Sequence, residues 1–212
     1  MREGGTLAAS RRFAGYDLAR ALAVFGMLLV NFDAFADSVG ADPQWLRALI
    51  DWIEGKAAVT FVVLAGVGIS LKTRSARLTN DGFNIRHQRR HLLRRGSVLF
   101  GGVIFFSLIW PADILIYYGV YMALGAFLFT SSNRCLLLLA ALAVITSALL
   151  FTFFDPDHGW NMTTSQITDF WTPAGMTRSL FFNGRYPFFP WSVFLIIGMC
   201  IGRLDITHPR IR

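Results

Sequence analysis

Polar side chains recur at helical spacing along the first long apolar stretch of the sequence. Asp17, Arg20 and Asn31, with Val24 and Met27 between them, are three or four residues apart, which places all five on one face of a helix. Ionisable groups inside a membrane are costly, so each is a functional hypothesis, and we expect this face to turn toward protein. The alternatives are that Asp17 and Arg20 form an ion pair at the helix end, and that Asn31 holds neighbouring helices together.

Further polar candidates lie where other apolar stretches begin or end. Asp33 closes the first stretch, and Asp113 follows a Trp-Pro-Ala turn, where Asp also serves as a helix N-cap. Tyr117 lies one helical turn beyond Asp113 and could line a cavity. Arg185 precedes an apolar stretch that opens with two prolines, so it could bind a substrate anion or anchor the helix end.

A densely basic segment spans residues 72–95 and contains eight Lys and Arg, among them Arg89, Arg90 and Arg94. Such a segment fixes membrane topology and attracts anionic lipid, or it binds a phosphate-rich cytosolic ligand such as a coenzyme A nucleotide. No interleaved aromatic residues or fold signature accompany the charge, so we expect no nucleic acid partner.

Several familiar kinds of catalytic centre have no signature here. No histidine lies within a long apolar stretch, and no HExxH, GxSxG or P-loop pattern occurs. Two cysteines are too few for a cysteine-rich zinc site or a disulfide framework. We therefore expect no metal cofactor.

The composition predicts where these residues are positioned. The chain of 212 residues is 54% hydrophobic, only 16% charged and has a mean hydropathy of +0.49, whereas soluble domains carry roughly 25% charge. Apolar stretches near the ~20 residues that cross a bilayer predict an all-α integral membrane bundle of about six transmembrane helices forming one domain. The predicted spans are 16–36, 56–73, 94–111, 113–131, 135–154 and 187–203.

The distribution of basic residues predicts the orientation of these spans. With both termini in the cytoplasm, 16 of the 20 Lys and Arg fall on the cytoplasmic side. Residues 43–54 have apolar positions at helical spacing, which predicts a helix in the outer interface, and residues 155–185 are expected to form a polar outer loop.

Four motifs, in order along residues 16–204, resemble those of heparan-alpha-glucosaminide N-acetyltransferase-like membrane proteins and the related YeiB-like proteins. The first is Tyr16-Asp17-Leu18-Ala19-Arg20-Ala21-Leu22-Ala23 with Met27 and Asn31. The second runs from Gly55-Lys56 to Gly66-Val67-Gly68, and the third is Trp110-Pro111-Ala112-Asp113-Ile114-Leu115-Ile116-Tyr117-Tyr118. The fourth is Tyr186-Pro187-Phe188-Phe189-Pro190-Trp191, followed by Gly198 and Gly202-Arg203-Leu204.

The resemblance implies a membrane-bound acyltransferase that moves an acyl group, such as acetyl, from cytosolic acyl-coenzyme A to an extracytoplasmic glycan or lipid acceptor. Residues implied at the donor site are Asp17, Arg20, Arg89, Arg90 and Arg94. Residues implied in catalysis are Asn31, Asp33, Asp113 and His158, and those implied at the acceptor site are Lys56, Tyr117, Arg185 and Trp191.

The chain also departs from the family pattern. Ala21 replaces the usual Gly, and Asn31 stands where many relatives have His. Because an amide is no general base, Asp33 or His158 would take that role. Larger relatives have further helices, which leaves open a non-catalytic transporter or flippase-like subunit, or an inactive truncated member. The expected partners are the lipid bilayer and a second copy or another membrane subunit, and the expected location is a bacterial inner (plasma) membrane.

Overall fold

The computed structural model describes residues 14–36, 44–53, 55–106, 114–162 and 166–204. These residues are mostly helical, which confirms the predicted class, and the strands among them are one pair of two residues each. The chain divides into two compact units, residues 1–61 and 62–212. The helices are α1 Ala14–Ala36, α2 Gln44–Ile53, α3 Lys56–Lys72, α4 Arg74–Thr79, α5 Gly82–Phe106, α6 Ile114–Leu128, α7 Asn133–Phe153, α8 Pro173–Arg178 and α9 Phe188–Ile201. The strands are β1 Trp160–Asn161 and β2 Gln166–Ile167.

In the first unit, helix α1 packs through its smallest residues. Ala23 and Gly26 are buried. A Cβ added at Gly26 would lie 3.0 Å from the Cβ of Ala57 and 3.1 Å from Cγ2 of Ile53, so this position has little room for any side chain. This small-residue face is the packed face of α1 within the unit.

In the second unit, helices α5 and α6 cross closely at two glycines. A Cβ on either Gly96 or Gly119 would lie 2.9 Å from the carbonyl oxygen of the other. Tyr121 and Leu92, both fully buried, lie on the same two helices. This crossing sets the position of α5, including its basic first half, along α6.

Helices α3 and α9 form a second close crossing in this unit. Gly66 and Gly198 each face backbone of the other helix, and a Cβ on Gly198 would lie 2.8 Å from the carbonyl carbon of Val63. Ser70 Oγ donates a 2.6 Å hydrogen bond to the Met199 carbonyl oxygen in the same buried interface. Small residues therefore let the two helices come close enough to form this buried hydrogen bond, which larger side chains would prevent.

The apolar helices only partly reproduce the predicted spans. Within the described ranges, Asn133–Phe153 is long and apolar enough to cross a membrane by itself. Pro173–Asn183 and Phe188–Ile201 satisfy the same criterion as a pair that is bent by 49°. Leu115–Leu128 is apolar but shorter. The six-span bundle and its orientation stay predictions.

Two predicted loops contain regular structure, which corrects the sequence analysis. Most of segment 72–95 is helical, because α4 occupies part of it and α5 begins at Gly82 rather than at residue 94. The Asp81 carboxylate accepts a 3.0 Å hydrogen bond from the Phe83 N–H and so starts α5, and the following Arg, Leu and Gln favour helix. Hydropathy alone detected only the apolar half of this helix.

The outer segment 155–185 is likewise not a plain loop. It contains the β1–β2 pair, in which Trp160 is opposite Ile167, then α8 and a π-helical turn at Ser179–Asn183. Thr172 starts α8 because its hydroxyl accepts a 3.0 Å hydrogen bond from the Gly175 N–H, and Pro173 occupies the first helical position. These local polar signals have no hydrophobic period, so the sequence pattern did not reveal them.

Candidate functional site

One side of helix α5 carries a row of guanidinium groups. Arg86, Arg90 and Arg94 follow each other at intervals of four residues, so they lie along one face. Together with Arg89 and Ser97 they line a groove of about 480 Å³, here called the first groove. The structure thus brings together Arg89, Arg90 and Arg94, three of the residues predicted for the donor site.

Arg89 ties this row to the neighbouring helix. Its Nε donates a 3.1 Å hydrogen bond to the Ala126 carbonyl oxygen near the end of α6. Its guanidinium carbon lies 5.8 Å from the ring centroid of Phe127, at the outer limit of a cation–π contact. A cation at a helix C-terminus also meets the negative end of the helix dipole. Arg89 is therefore held in place, while Arg90 and Arg94 are exposed to solvent.

A second groove lies beside the first and shares Arg94 with it. It has a volume of about 400 Å³, and its polar lining is Lys72, His91, Arg94 and Arg95. Lys72 stands at the end of α3, and its Nζ lies 3.5 Å from His91 Nδ1 on α5. The second groove therefore depends on two helices, which is why no single run of sequence revealed it.

The electrostatics of the second groove act on His91. The positive charge of Lys72, followed by partial burial and then the charges of Arg95, His87 and Arg94, lowers the pKa of His91 below its usual value. The contact with Lys72 is consistent with a neutral imidazole whose Nδ1 accepts from the ammonium group. The groove thus concentrates positive charge, and a bound anion would reduce the repulsion among these charges.

Arg203 holds the turn between helices α6 and α7. It donates to the carbonyl oxygens of Phe129 at 3.1 Å and Ser131 at 2.6 Å, and to Asn133 Oδ1 at 2.8 Å. Arg203 thus closes the C-terminal end of α6 and binds the first residue of α7. This is a positioning role that the sequence analysis did not assign.

Three residues predicted for the acceptor site gather around Tyr186. The Tyr186 ring contacts Trp191 edge to face at 5.0 Å and Tyr117 at 5.9 Å, and Arg185 is its chain neighbour. Tyr121 Oη donates a 2.6 Å hydrogen bond to the Tyr186 carbonyl oxygen. The cluster joins α6 to the bend before α9, so these aromatic residues also have a structural role.

A polar contact stands at the edge of this cluster. The hydroxyls of Tyr117 and Ser179 are 3.1 Å apart, and both residues are buried. A Cβ on Gly184 would lie 2.7 Å from the Ser179 hydroxyl and would also meet the Tyr117 hydroxyl. Gly184 therefore lets the chain pass close to both hydroxyls as it enters the bend before α9.

His158 lies apart from the aromatic cluster, on an exposed turn after α7. It lines a pocket of about 530 Å³ that also contains Asp155, Arg178 and Phe182. Asn183 supports the turn, because its Nδ2 donates to the carbonyl oxygens of His158 at 2.8 Å and Pro156 at 3.0 Å. The pocket brings an imidazole and a carboxylate to the same solvent-exposed wall.

The Asp169–Arg178 pair holds the outer segment together. Arg178 donates two hydrogen bonds to the carboxylate, Nη2 to Oδ1 at 2.6 Å and Nη1 to Oδ2 at 3.1 Å. These bonds, chiefly, lower the pKa of Asp169. Neither residue stood out in the sequence as part of a pair, since nine positions separate them and no period links them.

The remaining predicted residues belong to the first unit or fall outside the described residues. Asp17 and Arg20 are exposed on α1, on a different face from the packed Ala23 and Gly26, so the predicted polar stripe is not the packed face of this unit. Lys56 donates to the Trp52 carbonyl oxygen and stands 4.7 Å above the Trp52 ring.

Three residues predicted for catalysis have side chains outside the described part of the structure. Asn31 and Asp33 belong to α1, but their side chains are not among those described, and Asp113 lies outside the described residues. In the described part of the chain, no group of three or more His, Cys, Asp or Glu is placed to hold a metal ion.

Comparison with known families decides the class of protein. The family model described as heparan-alpha-glucosaminide N-acetyltransferase, catalytic, matches residues 12–212. The chain belongs to this family. The heparan-alpha-glucosaminide N-acetyltransferase family is membrane-associated and in general uses acetyl-coenzyme A as acyl donor. Comparison with curated proteins and with solved structures gave no match.

Proposed function

We propose that this family member is a membrane-bound acyltransferase, which moves an acyl group from cytosolic acyl-coenzyme A to a glycan or lipid acceptor on the opposite side of the membrane. The observation that carries the proposal is the family match, which covers all but the first 11 residues. The basic face of α5 supports it independently, because a coenzyme A nucleotide carries several phosphate charges that clustered arginines bind well.

The exposed side chains of α7 support a membrane environment. Large apolar residues on this helix are between 51% and 71% exposed, although a folded protein in water would cover such a surface. They are Leu137, Leu138, Leu142, Val144, Ile145 and Leu149. We propose that this face contacts lipid, and that α1, α3, α5, α6 and α9 cross with it as a six-span bundle.

Helix α2 has the character of an interfacial helix. Ile50 is buried, whereas Trp45 and Trp52 are 69% and 65% exposed and lie on another face of the helix. Indole rings concentrate at the level of lipid headgroups, and the ammonium of Lys56 above Trp52 is a suitable headgroup contact. We propose that this exposed face rests in the outer interface.

The proposed reaction needs a base that removes a proton from the acyl acceptor, and it needs a site that holds the acyl donor. The acceptor hydroxyl or amine attacks the thioester carbonyl; the C–S bond breaks, a C–O or C–N bond forms, and the departing thiolate takes up a proton. We propose Asp33 as the base that removes the acceptor proton, with His158 as the alternative, and Asn31 and Asp113 as polar residues beside it. Asp17 and Arg20, with the first groove, would hold the donor; Lys56, Tyr117, Arg185 and Trp191 would hold the acceptor.

Binding of acetyl-coenzyme A to the purified full chain tests the donor site. We expect Arg94→Gln to weaken binding by about tenfold, since one charge-assisted hydrogen bond at a partly exposed site is lost. Arg134→Gln is the matched control, because Arg134 is an exposed arginine at the start of α7 and lines neither groove. Binding that is absent, or unchanged in Arg94→Gln, contradicts the donor site.

Transfer of a labelled acetyl group to a panel of glycan and lipid acceptors tests catalysis. Asp33→Asn is expected to reduce transfer by about 10² to 10⁴, the usual contribution of a general base, while leaving donor affinity unchanged. Donor binding without transfer to any acceptor would favour the transporter or inactive-member alternatives over an enzyme.

A further inference from the structure

The second groove contains basic residues that the donor row does not include. Lys72, His91 and Arg95 face a pocket of about 400 Å³, and only Arg94 is shared with the first groove. Val98 and Leu99 close its apolar side. The groove has room for a phosphate group, and four of its six lining residues are Lys, His or Arg.

Basic residues far outnumber acidic ones in the part of the chain that forms this groove. Between residues 62 and 106 the sequence contains eight Lys and Arg but only one acid, Asp81. Both carboxylate oxygens of Asp81 are used locally, by the Phe83 N–H at 3.0 Å and by Asn84 Nδ2 at 2.9 Å. Asp81 also lies ten residues from His91, which is about 15 Å along a helix. Within residues 62–106, the basic side chains of the groove therefore have no acidic partner to neutralise them.

We propose that the second groove is a binding site for a phosphomonoester dianion. If the proposed function holds, on which this assignment rests, the occupant is the 3′-phosphomonoester of the coenzyme A nucleotide, with the diphosphate in the adjoining first groove. Arg94, which lines both grooves, would contact both phosphate groups. The headgroup of phosphatidic acid presents the same phosphomonoester chemistry from a lipid.

His91 gives the site a pH dependence with a definite sign. The charged groups around it are Lys72 on α3 and His87, Arg94 and Arg95 on α5. Helix α4, which packs against α5, adds Arg74 and Arg77, and α6 has no charged residue. In the free protein these cations disfavour protonated His91, and a bound dianion would reverse that preference. Binding should therefore take up a proton, and it should strengthen as the pH falls toward the range in which His91 is protonated in the complex.

The test compares ligands that differ by the one phosphate group. Affinities of the full chain for coenzyme A and for dephospho-coenzyme A, which lacks the 3′-phosphate, are measured by calorimetry at pH 6.5 and pH 8 in two buffers of different ionisation enthalpy. At pH 6.5 we expect coenzyme A to bind at least about tenfold more tightly than dephospho-coenzyme A, and its binding to take up protons. His91→Gln should abolish the proton uptake and most of the preference, whereas the control His87→Gln, on the same helix but outside the groove lining, should keep both.

The outcomes separate this site from the proposed function. Equal affinity for the two nucleotides would leave donor binding intact and overturn the phosphomonoester site. If neither nucleotide binds, the proposed function fails, and nanodiscs containing phosphatidic acid or phosphatidylcholine decide the inference alone. Phosphatidic acid bound by the wild-type chain, and not by His91→Gln or Arg95→Gln, would support the same chemistry with a lipid source. Failure of that arm as well would overturn it.

Discussion

A methyl group at the crossing of α3 and α9 should destabilise the protein out of proportion to its size. In Gly198→Ala the new Cβ would lie 2.8 Å from the carbonyl carbon and 3.0 Å from the Cα of Val63, and it would collide with the carbonyl oxygen. These are backbone atoms, so no side-chain rotation relieves the contact. Since nonbonded carbons prefer about 3.5–4.0 Å, the two helices must separate by about 1 Å.

The size of the effect follows from two opposing terms. Overpacking a tight interface costs about 1–3 kcal/mol, and rigid backbone on both sides favours the upper end. Alanine in place of glycine within a helix returns about 1 kcal/mol. The net loss is therefore about 2 kcal/mol, which for a chain of this size lowers Tm by about 4–8 °C. Separation of the helices would also stretch the bond from Ser70 to Met199.

Thermal unfolding in one detergent, followed by far-ultraviolet circular dichroism at two scan rates, measures this effect. Gly101→Ala is the matched control, because Gly101 also lies within a helix and a Cβ there would meet nothing within 4 Å. The control should have an unchanged or higher Tm, because the greater helix propensity of alanine adds up to about 1 kcal/mol to the free energy of unfolding. A Gly198→Ala protein as stable as Gly101→Ala would refute the close crossing of α3 and α9.

Three further changes test other parts of the fold by the same measurement. Ser70→Ala removes the buried bond to α9 and should cost about 1 kcal/mol. Arg203→Met removes three hydrogen bonds at the turn after α6 and should cost about 1–2 kcal/mol after allowance for solvent screening, whereas the exposed Arg134→Met should cost little. Asp169→Asn should lower Tm at pH 7 but not near pH 2. The pKa of Asp169 is lower in the folded than in the unfolded protein, so the ionised carboxylate stabilises the fold at any pH above the unfolded-state pKa. Acidification through the folded-state pKa protonates it and removes that stability. Asp157→Asn, a change at an exposed carboxylate of the same segment, should leave the profile unaltered.

Helices that consist of one continuous apolar run could be predicted from the sequence. The spans proposed at 135–154 and 187–203 correspond to helices Asn133–Phe153 and Phe188–Ile201, within two residues at each end. Gly198 and Gly202 of the fourth motif are four residues apart, a spacing of small residues that is typical of close helix packing, and both face α3 backbone. Apolar character and residue size are local properties, so the sequence displays them directly.

The sequence could not predict contacts that depend on two distant elements. The second groove needs Lys72 at the end of α3 and His91 on α5, and the outer segment needs the Asp169–Arg178 pair. Helix α5 begins 12 residues before the predicted span, because charged residues can be helical without being apolar. Amphipathic spacing found the stripe of Asp17 and Arg20, but it could not predict that the packed face of α1 would be Ala23 and Gly26.

Sided acyl transfer in sealed proteoliposomes tests the central claim most directly. The full chain is reconstituted, molecules are selected whose basic segment 72–95 faces the outside, and labelled acetyl-coenzyme A is supplied outside with the acceptor enclosed. The account predicts labelled acceptor inside the vesicles, strongly reduced in Arg94→Gln and unaffected in Arg134→Gln. No labelled acceptor inside the vesicles, when the donor binds normally, would contradict transfer across the membrane.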